Sequence, residues 1–444
     1  MKFDEFKQAA FDCALSSGCE AAELFMIDSE STSVSVLEQK VESHTYSHSS
    51  GVSLRVKLDG RDGYYYTESL SDPRDAVNKA MDNARFAEKA DHPMNSECAG
   101  AYNMPDCDDT AERVSTGDMI DIALDTEKYA LGADECIKRI QHNEVAKEQS
   151  TTLIANTLGL NAAYTSSVLI SCFSPVAEKD GEKQNGYTFA SGSAVRSPKN
   201  TALRGVQLAM SRFGAVSIPG GDYPIIIQSK AMIRLLETFA PQFFADNVQK
   251  GLSPLQGKEG QVIASRCINL TDDPFLCALP RPFDDEGSLS RLTPIIRGGR
   301  LDYLLHNLKT AKKAGCSTTA NARRPSLSSP IGVGCTNLVL EEGSASLEQM
   351  MLEMGDGLLI NSLSGLHAGA EPVTGDFSLL ASGFEVKDGK ISRPVEGITV
   401  AGTFARLLEN IEKVGNDTYY SEPMGSVYAS PSVYLKKGIK VSGE

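Results

Sequence analysis

The sequence predicts an α+β protein in two parts: an N-terminal domain of helices packed on sheets (residues 1–217) and a β-rich C-terminal domain (residues 218–444). Three observations lead there. A length of 444 residues suits two cores better than one. Up to about residue 200, helical stripes alternate with strand stretches rich in Thr, Ser and Val. Beyond the breaker-rich stretch from Ser217 to Gly221, strand signals and turns dominate.

Taken in order, a first helix is predicted from Asp4 to about Ser16, where Phe6, Ala10, Cys13 and Ala14 share a face. A strand follows from Ala22 to Gln39. Leu54, Val56 and Leu58 then alternate with Arg55 and Lys57, a turn runs from Asp59 to Gly63, and Tyr64 to Tyr66 return. That alternation predicts one buried and one solvated sheet face. Asp72 caps a helix that has Pro73 in its first turn and Val77, Ala80, Met81 and Ala84 as its stripe. Residues 96–109 read as a loop, and a helix is predicted from Asp118 to about Arg139. Strands then run to about Val195. Helix, strands and hairpin thus occur twice, with Gly63-Tyr64 and Gly186-Tyr187 in matching places, as in an internal repeat.

In the second part, Tyr223 to Ile227 reads as a buried strand, and Met232, Leu236, Phe239 and Ala240 as a helical stripe. Gly298-Gly299 and Asp388-Gly389 are two-residue hairpin signals. A late helix carries Phe404, Leu407, Leu408 and Ile411 and is expected to end at Gly415.

Composition excludes several functions. The net charge of -15 opposes binding to phosphate backbones, so no nucleic-acid partner is expected. No apolar run approaches the ~20 residues that span a bilayer, and the acidic start lacks a secretory pattern, so a cytoplasmic protein is expected. The ten cysteines include no C-x-x-C pair and read as scattered reduced thiols.

Familiar chemical signatures fail one by one. Of six histidines only His44 and His48 are four apart, and their surroundings read as strand, which separates them by ~13 Å, too far to share a metal. Gly251 to Glu259 resembles a phosphate loop but has Glu259 where Ser or Thr would hold magnesium. Gly332-x-Gly334 lacks a third glycine, and no G-x-S-x-G elbow occurs. The acids at Asp272-Asp273 and Asp284-Asp285-Glu286 read as surface turns, and Arg323-Arg324 with Lys312-Lys313 as a solvated basic face.

Several segments, in order, resemble one family. They are Gly51 to Arg55 with the turn to Tyr64, Thr271 to Pro274, Phe283 to Gly287, Asn321 to Arg324, Thr374 to Ser378, and Val414 to Asp417. Together they are similar to the TldD/PmbA family, peptidases once called modulators of DNA gyrase. The resemblance implies a heterodimeric peptidase acting on unfolded or unstructured peptides. It also implies that the TldD-type subunit holds zinc through H-E-x-x-x-H and a C-terminal cysteine, while the PmbA (TldE) branch lacks those ligands. Here Leu236 and Pro241 stand where the histidines would be, no histidine lies between His142 and His306, and the last cysteine is Cys335. No catalytic residue, metal ligand or cofactor is therefore expected in this chain. Glu237, which can align with the family's glutamate, is the one weak catalytic candidate. The implied partner is a TldD-type subunit or a second copy of this chain. The alternatives are a homo-oligomeric peptide- or protein-binding protein without peptidase activity, and an independent hydrolase using Asp272, Asp285 or Glu286.

Overall fold

The computed structural model describes residues 2–89, 92–96, 105, 107 and 110–443. The first part contains α1 (Phe3–Ser16), β1 (Ala21–Leu37), β2 (Lys40–Leu58), β3 (Arg61–Thr67), α2 (Pro73–Phe86), α3 (Thr110–Arg113), α4 (Thr116–Leu131), β4 (Ile137–Asn156), β5 (Asn161–Lys179), β6 (Glu182–Asn185), β7 (Thr188–Ser191) and α5 (Pro198–Met210). Its strands form one sheet in the order β3-β2-β1-β4-β5-β6, with β7 also paired to β5. The predicted repeat is visible in that order: each half is a helix, a long hairpin, a short return strand and a second helix. Gly63 and Gly186 do the same work in the two halves. A Cβ on Gly63 would meet Ala80 O at 2.0 Å, and one on Gly186 would meet Gly205 O at 2.0 Å. Only glycine lets the return strand lie this close to its helix.

The hairpin turns follow from φ > 0 at both central residues, as at Asp59 (52°) and Gly60 (71°), or Asp388 (50°) and Gly389 (73°). Gly298-Gly299 turns the same way. One such turn carries no glycine. Glu38 and Gln39 have φ of 53° and 55°, and the buried Glu127 carboxylate on α4 accepts both of their backbone N–H groups, at 2.9 and 2.7 Å.

Some expectations need correction. The predicted helix from Asp118 to Arg139 ends at Leu131, followed by Gly132, and β4 begins at Ile137. The late helix is only Phe404–Asn410; Ile411 starts a strand instead. The β2–β3 hairpin does not keep one solvated face, because Ser53, Arg55 and Asp62 are buried along with Leu54 and Val56. The thiols are not all reduced: Cys107 and Cys277 form a disulfide with their Cα atoms 5.2 Å apart, a pairing hidden by a sequence separation of 170. The loop expected over residues 96–109 lies mostly outside the described residues.

The second part begins with β8 (Gly221–Asp222), β9 (Ile225–Ile227), α6 (Ser229–Phe239), α7 (Ala245–Gln249), β10 (Leu270–Asp272), β11 (Thr293–Arg297), β12 (Arg300–Leu301), α8 (Leu308–Ala314), β13 (Ala322–Arg323), β14 (Gly332–Val333) and β15 (Asn337–Leu340). It continues with α9 (Leu347–Met354), β16 (Gly357–Ser364), α10 (Leu366–Gly369), β17 (Asp376–Lys387), β18 (Lys390–Thr403), α11 (Phe404–Asn410), β19 (Ile411–Val414), β20 (Tyr419–Tyr420), β21 (Val427–Ser430), β22 (Val433–Leu435) and β23 (Lys440–Ser442). One sheet runs β19-β22-β9-β16-β17-β18-β23-β8 and another β12-β11-β10-β15-β21-β20. Helix α6 belongs to the apolar core they share: Met232, Leu235, Leu236 and Phe239 are buried, and Phe239 stacks on Phe404 with ring centres 4.8 Å apart. Pro241 cannot donate to a continuing helix, so the chain passes after Phe239 into a short 3₁₀ turn, Ala240–Phe243. Among the described residues no helix is long and apolar enough to cross a membrane.

Candidate functional site

Two polar regions stand out; the sequence foresaw only part of the second. The first is a buried hub between the two parts. Asp272, Asp284, Asp285 and Glu286, expected on the surface, are all buried, and so is Arg324 from the supposed solvated basic face. Backbone N–H groups explain the difference. Asp272 Oδ1 accepts from Thr336 N (2.7 Å) and Asn337 N (3.0 Å), and its Oδ2 accepts from Asn321 Nδ2 at 2.6 Å. Asp284 accepts from the N–H groups of Glu286, Ser288 and Ala322 at 2.9–3.0 Å. Asp285 accepts from Arg324 N at 2.7 Å. Glu286 accepts from Leu308 N at 2.9 Å and bonds the ring of His92. Each carboxylate is thus spent on holding a loop.

The hub extends into the N-terminal sheet. Arg324 Nη2 lies 3.0 Å from Glu23 Oε1 on β1, and its guanidinium sits 5.0 Å from the Phe25 ring centre. Arg55 pairs with Asp62 at 3.1 Å. Burial dominates the electrostatics here. It pushes the carboxyl of Asp272 up to about 7 against its three hydrogen bonds, and raises Asp284, where Glu286 adds repulsion. Burial also raises Asp285 and Glu23, against the pull of nearby arginines. These acids do not line an open catalytic cleft as a set; they pin chain segments together.

The second region lies on the exposed side of α6. A cavity of about 250 Å³ is lined there by Lys230, Arg234 and Glu237 of α6, and by Tyr187, Tyr419, Glu422 and Tyr428 among others. Glu237 is exposed and ion-paired to Arg234 at 2.6 Å. Leu236 points the other way, into the core, and Pro241 lies in the 3₁₀ turn. The Tyr187 hydroxyl donates to Glu422 and also lies 3.3 Å from Cys172 Sγ. Lys230 is half-buried, and burial followed by repulsion from Arg204 and Arg212 brings its ammonium down to about 8. His44 and His48 are elsewhere, exposed on β2, with His48 Nε2 2.9 Å from Asp28.

The zinc implied by the resemblance does not fit this cavity. Zinc takes imidazole, thiolate and carboxylate donors, whereas the cavity lining contains no His or Cys. Its two carboxylates are engaged by Arg234 and Tyr187, and Lys230 adds a cation to the lining. The cavity itself was legible only in part: α6 was, but Tyr187, Tyr419 and Glu422 reach it from distant segments.

Comparisons with known proteins agree over nearly the whole chain. Residues 22–86, 109–213 and 220–443 match three models of the PmbA/TldA metallopeptidases: domain 1, the central domain and the C-terminal domain. The chain is 28% identical over 416 residues to the metalloprotease PmbA of Escherichia coli O157:H7, covering 90% of this chain and 88% of that one. To the Haemophilus influenzae PmbA homologue it is 25% identical, covering 99% and 96%. A solved Thermotoga maritima structure, described as a proposed modulator of a DNA gyrase, superposes with a TM-score of 0.89 at 29% identity, covering 99% of this chain and all of that one. TldE from Thermococcus kodakarensis shares the fold, with a TM-score of 0.88 at 21% identity and coverage of 99% and 100%.

Proposed function

The chain belongs to the PmbA/TldA metallopeptidase family, and on that premise we propose that it is a non-catalytic subunit of the PmbA/TldE type. In this reading it works beside a zinc-bearing TldD-type partner, in the cytoplasm, on unfolded or unstructured peptides. Its role is to line the substrate chamber and to offer sheet edges to extended chains. The observation that carries the reading is the outward face of α6. Where the resemblance implies a metal-binding helix, that helix carries an ion-paired Glu237 and a half-buried Lys230, with Leu236 turned into the core.

The test is co-expression with a TldD-type protein from the same genome. A stable complex that cleaves unstructured peptides, with no cleavage by this chain alone, is the expected result. Cleavage by the isolated chain with stoichiometric zinc, abolished by Glu237→Gln, overturns the reading. An unchanged homodimer that ignores the partner favours a stand-alone binding protein instead.

A further inference from the structure

Two cations approach the ring of Tyr419, and among the described residues neither is ion-paired to a carboxylate. Lys230 Nζ is 4.8 Å from its ring centre and the Arg204 guanidinium carbon 5.1 Å. Arg204 comes from α5 in the first part and Lys230 from α6 in the second. The acids within reach are already engaged: Glu422 by the Tyr187 hydroxyl, and Glu237 by Arg234. Two cations held together this way repel each other: burial lowers the Lys230 ammonium most, Arg204 and Arg212 lower it further, and Glu422 opposes them. An anion seated beside Tyr419 would relieve that repulsion.

The same tyrosine belongs to an edge strand. β20 is the last strand of its sheet and, among the described residues, pairs only with β21. The N–H of Ser421 donates to Tyr428 O, so the alternation of an antiparallel ladder turns the N–H and C=O of Tyr420 away from β21. A second cavity, of about 390 Å³, adjoins this strand, lined by Thr188, Ser191, Arg204, Tyr419 and Tyr420 among others. The two cavities that share Tyr419 therefore bring cations and the outward-facing backbone groups of Tyr420 close together.

We propose that the cleft around Tyr419 is a carboxylate-binding subsite that takes the free C-terminus of an extended peptide, seated by Lys230 and Arg204. A terminal carboxylate is carried by the backbone itself. Pairing with β20 and capture of the charge then go together, whatever the side chains are. The inference rests on the peptide-handling reading above and adds to it which end of the peptide is held.

The test uses the full-length chain and a short fluorescein-labelled peptide of Ala, Gly and Val, with a free C-terminus or amidated, read by fluorescence anisotropy. The free acid should bind at least about tenfold more tightly, the scale of a hydrogen bond to a charged group. Lys230→Met and Arg204→Met should each erase that preference, and Lys230→Arg should retain it. Equal binding of acid and amide overturns the proposal, as does a preference that survives both Met variants. An amidated peptide with one internal Asp that binds as tightly as the free acid also overturns it, assigning the site to acidic side chains. Absence of binding by every peptide overturns it too, while complex formation with the TldD-type partner tests the subunit reading separately.

Discussion

Replacing Arg324 by Met should be among the most damaging single changes in the molecule. The guanidinium and the Glu23 carboxylate it meets at 3.0 Å are sealed from water, with side-chain exposures of 2% and 0%. Removing one member of such a pair leaves a buried charge unanswered and costs about 3–5 kcal/mol. Arg55 also attracts Glu23, which holds the loss toward the lower end. The lost contact with the Phe25 ring adds about 1 kcal/mol. We expect Arg324→Met to cost about 4 kcal/mol and Glu23→Met a similar amount. The double variant removes both charges and keeps the volume, so its cost should stay below about 2 kcal/mol. Chemical denaturation followed by circular dichroism measures all three, with Arg85→Met as an exposed control expected within about 0.5 kcal/mol of the parent. The pH dependence has a definite sign. Burial already raises the Glu23 carboxyl and Arg324 opposes it, so losing Arg324 raises it further. The deficit of Arg324→Met is then full above that raised value and shrinks as pH falls and Glu23 becomes neutral. Additive single and double costs, or a deficit that does not change with pH, would refute this account.

Three further outcomes are expected. Burial pushes the Asp272 carboxyl up to about 7 against about 3.9 for a free aspartate, so its contribution is fully present below about pH 4 and is lost as pH rises to about 7, at about 1.4 kcal/mol per unit. Asp272→Asn lacks that slope, so the stability gap between parent and variant should narrow by a few kcal/mol between pH 5 and pH 8; parallel denaturation profiles would contradict it. Gly63→Ala and Gly186→Ala each push a Cβ against helix backbone and should cost about 1–3 kcal/mol or more. Gly117→Ala, in α4 with its nearest neighbour 3.7 Å away, should be neutral or stabilising by up to about 1 kcal/mol, a thermal-shift assay measuring all three variants. Alkylation of the unreduced, denatured protein followed by mass spectrometry should leave Cys107 and Cys277 unlabelled until a reductant is added.

The elements that sequence reading recovered are those whose cause is local. Asp59-Gly60, Gly298-Gly299 and Asp388-Gly389 take positive φ because those residue types tolerate it, and each sits at a hairpin turn. The pairing of Asp72 with Pro73 starts α2, with Asp72 accepting from Asp75 N at 2.9 Å. What escaped has a distant cause. The Glu38-Gln39 turn depends on Glu127, 88 residues away from Gln39. Asp284, Asp285 and Glu286 followed by glycine read as a surface turn by composition, and N–H groups arriving from residues 308, 322 and 324 are what help make burial tolerable. Arg55 sat in an alternating strand where the pattern called for solvent, yet it found Asp62 and the carbonyl of His92. The repeat was visible because Gly63 and Gly186 answer a steric demand that each half makes separately.

The buried hub and the cavity beside α6 are parts of one construction. Three of the motifs that carry the family resemblance converge in the hub: Thr271 to Pro274, Phe283 to Gly287 and Asn321 to Arg324 are tied to one another through Asp272, Asp284 and Asp285. From there the connections run outward. Arg281 and Arg323 both donate to Gly425 O, at 3.1 and 2.6 Å. Asn337 Oδ1 accepts from Val427 N at 3.1 Å, and Ser426 Oγ donates to Cys335 O at 2.9 Å. Those bonds fix residues 425–427, which carry the chain from β20 into β21. Ser421, Glu422, Ser426 and Tyr428, which line the cavity, are on or beside that segment. These three motifs therefore explain how the wall of the cavity is held, and they supply none of its reactive groups. Damage to the hub, as in Arg324→Met, should loosen the Tyr419 cleft even though Arg324 lies outside it. Loss of a cleft cation, as in Lys230→Met, should leave the hub and the stability of the chain almost unchanged. That contrast separates what this scaffold preserves from what it does.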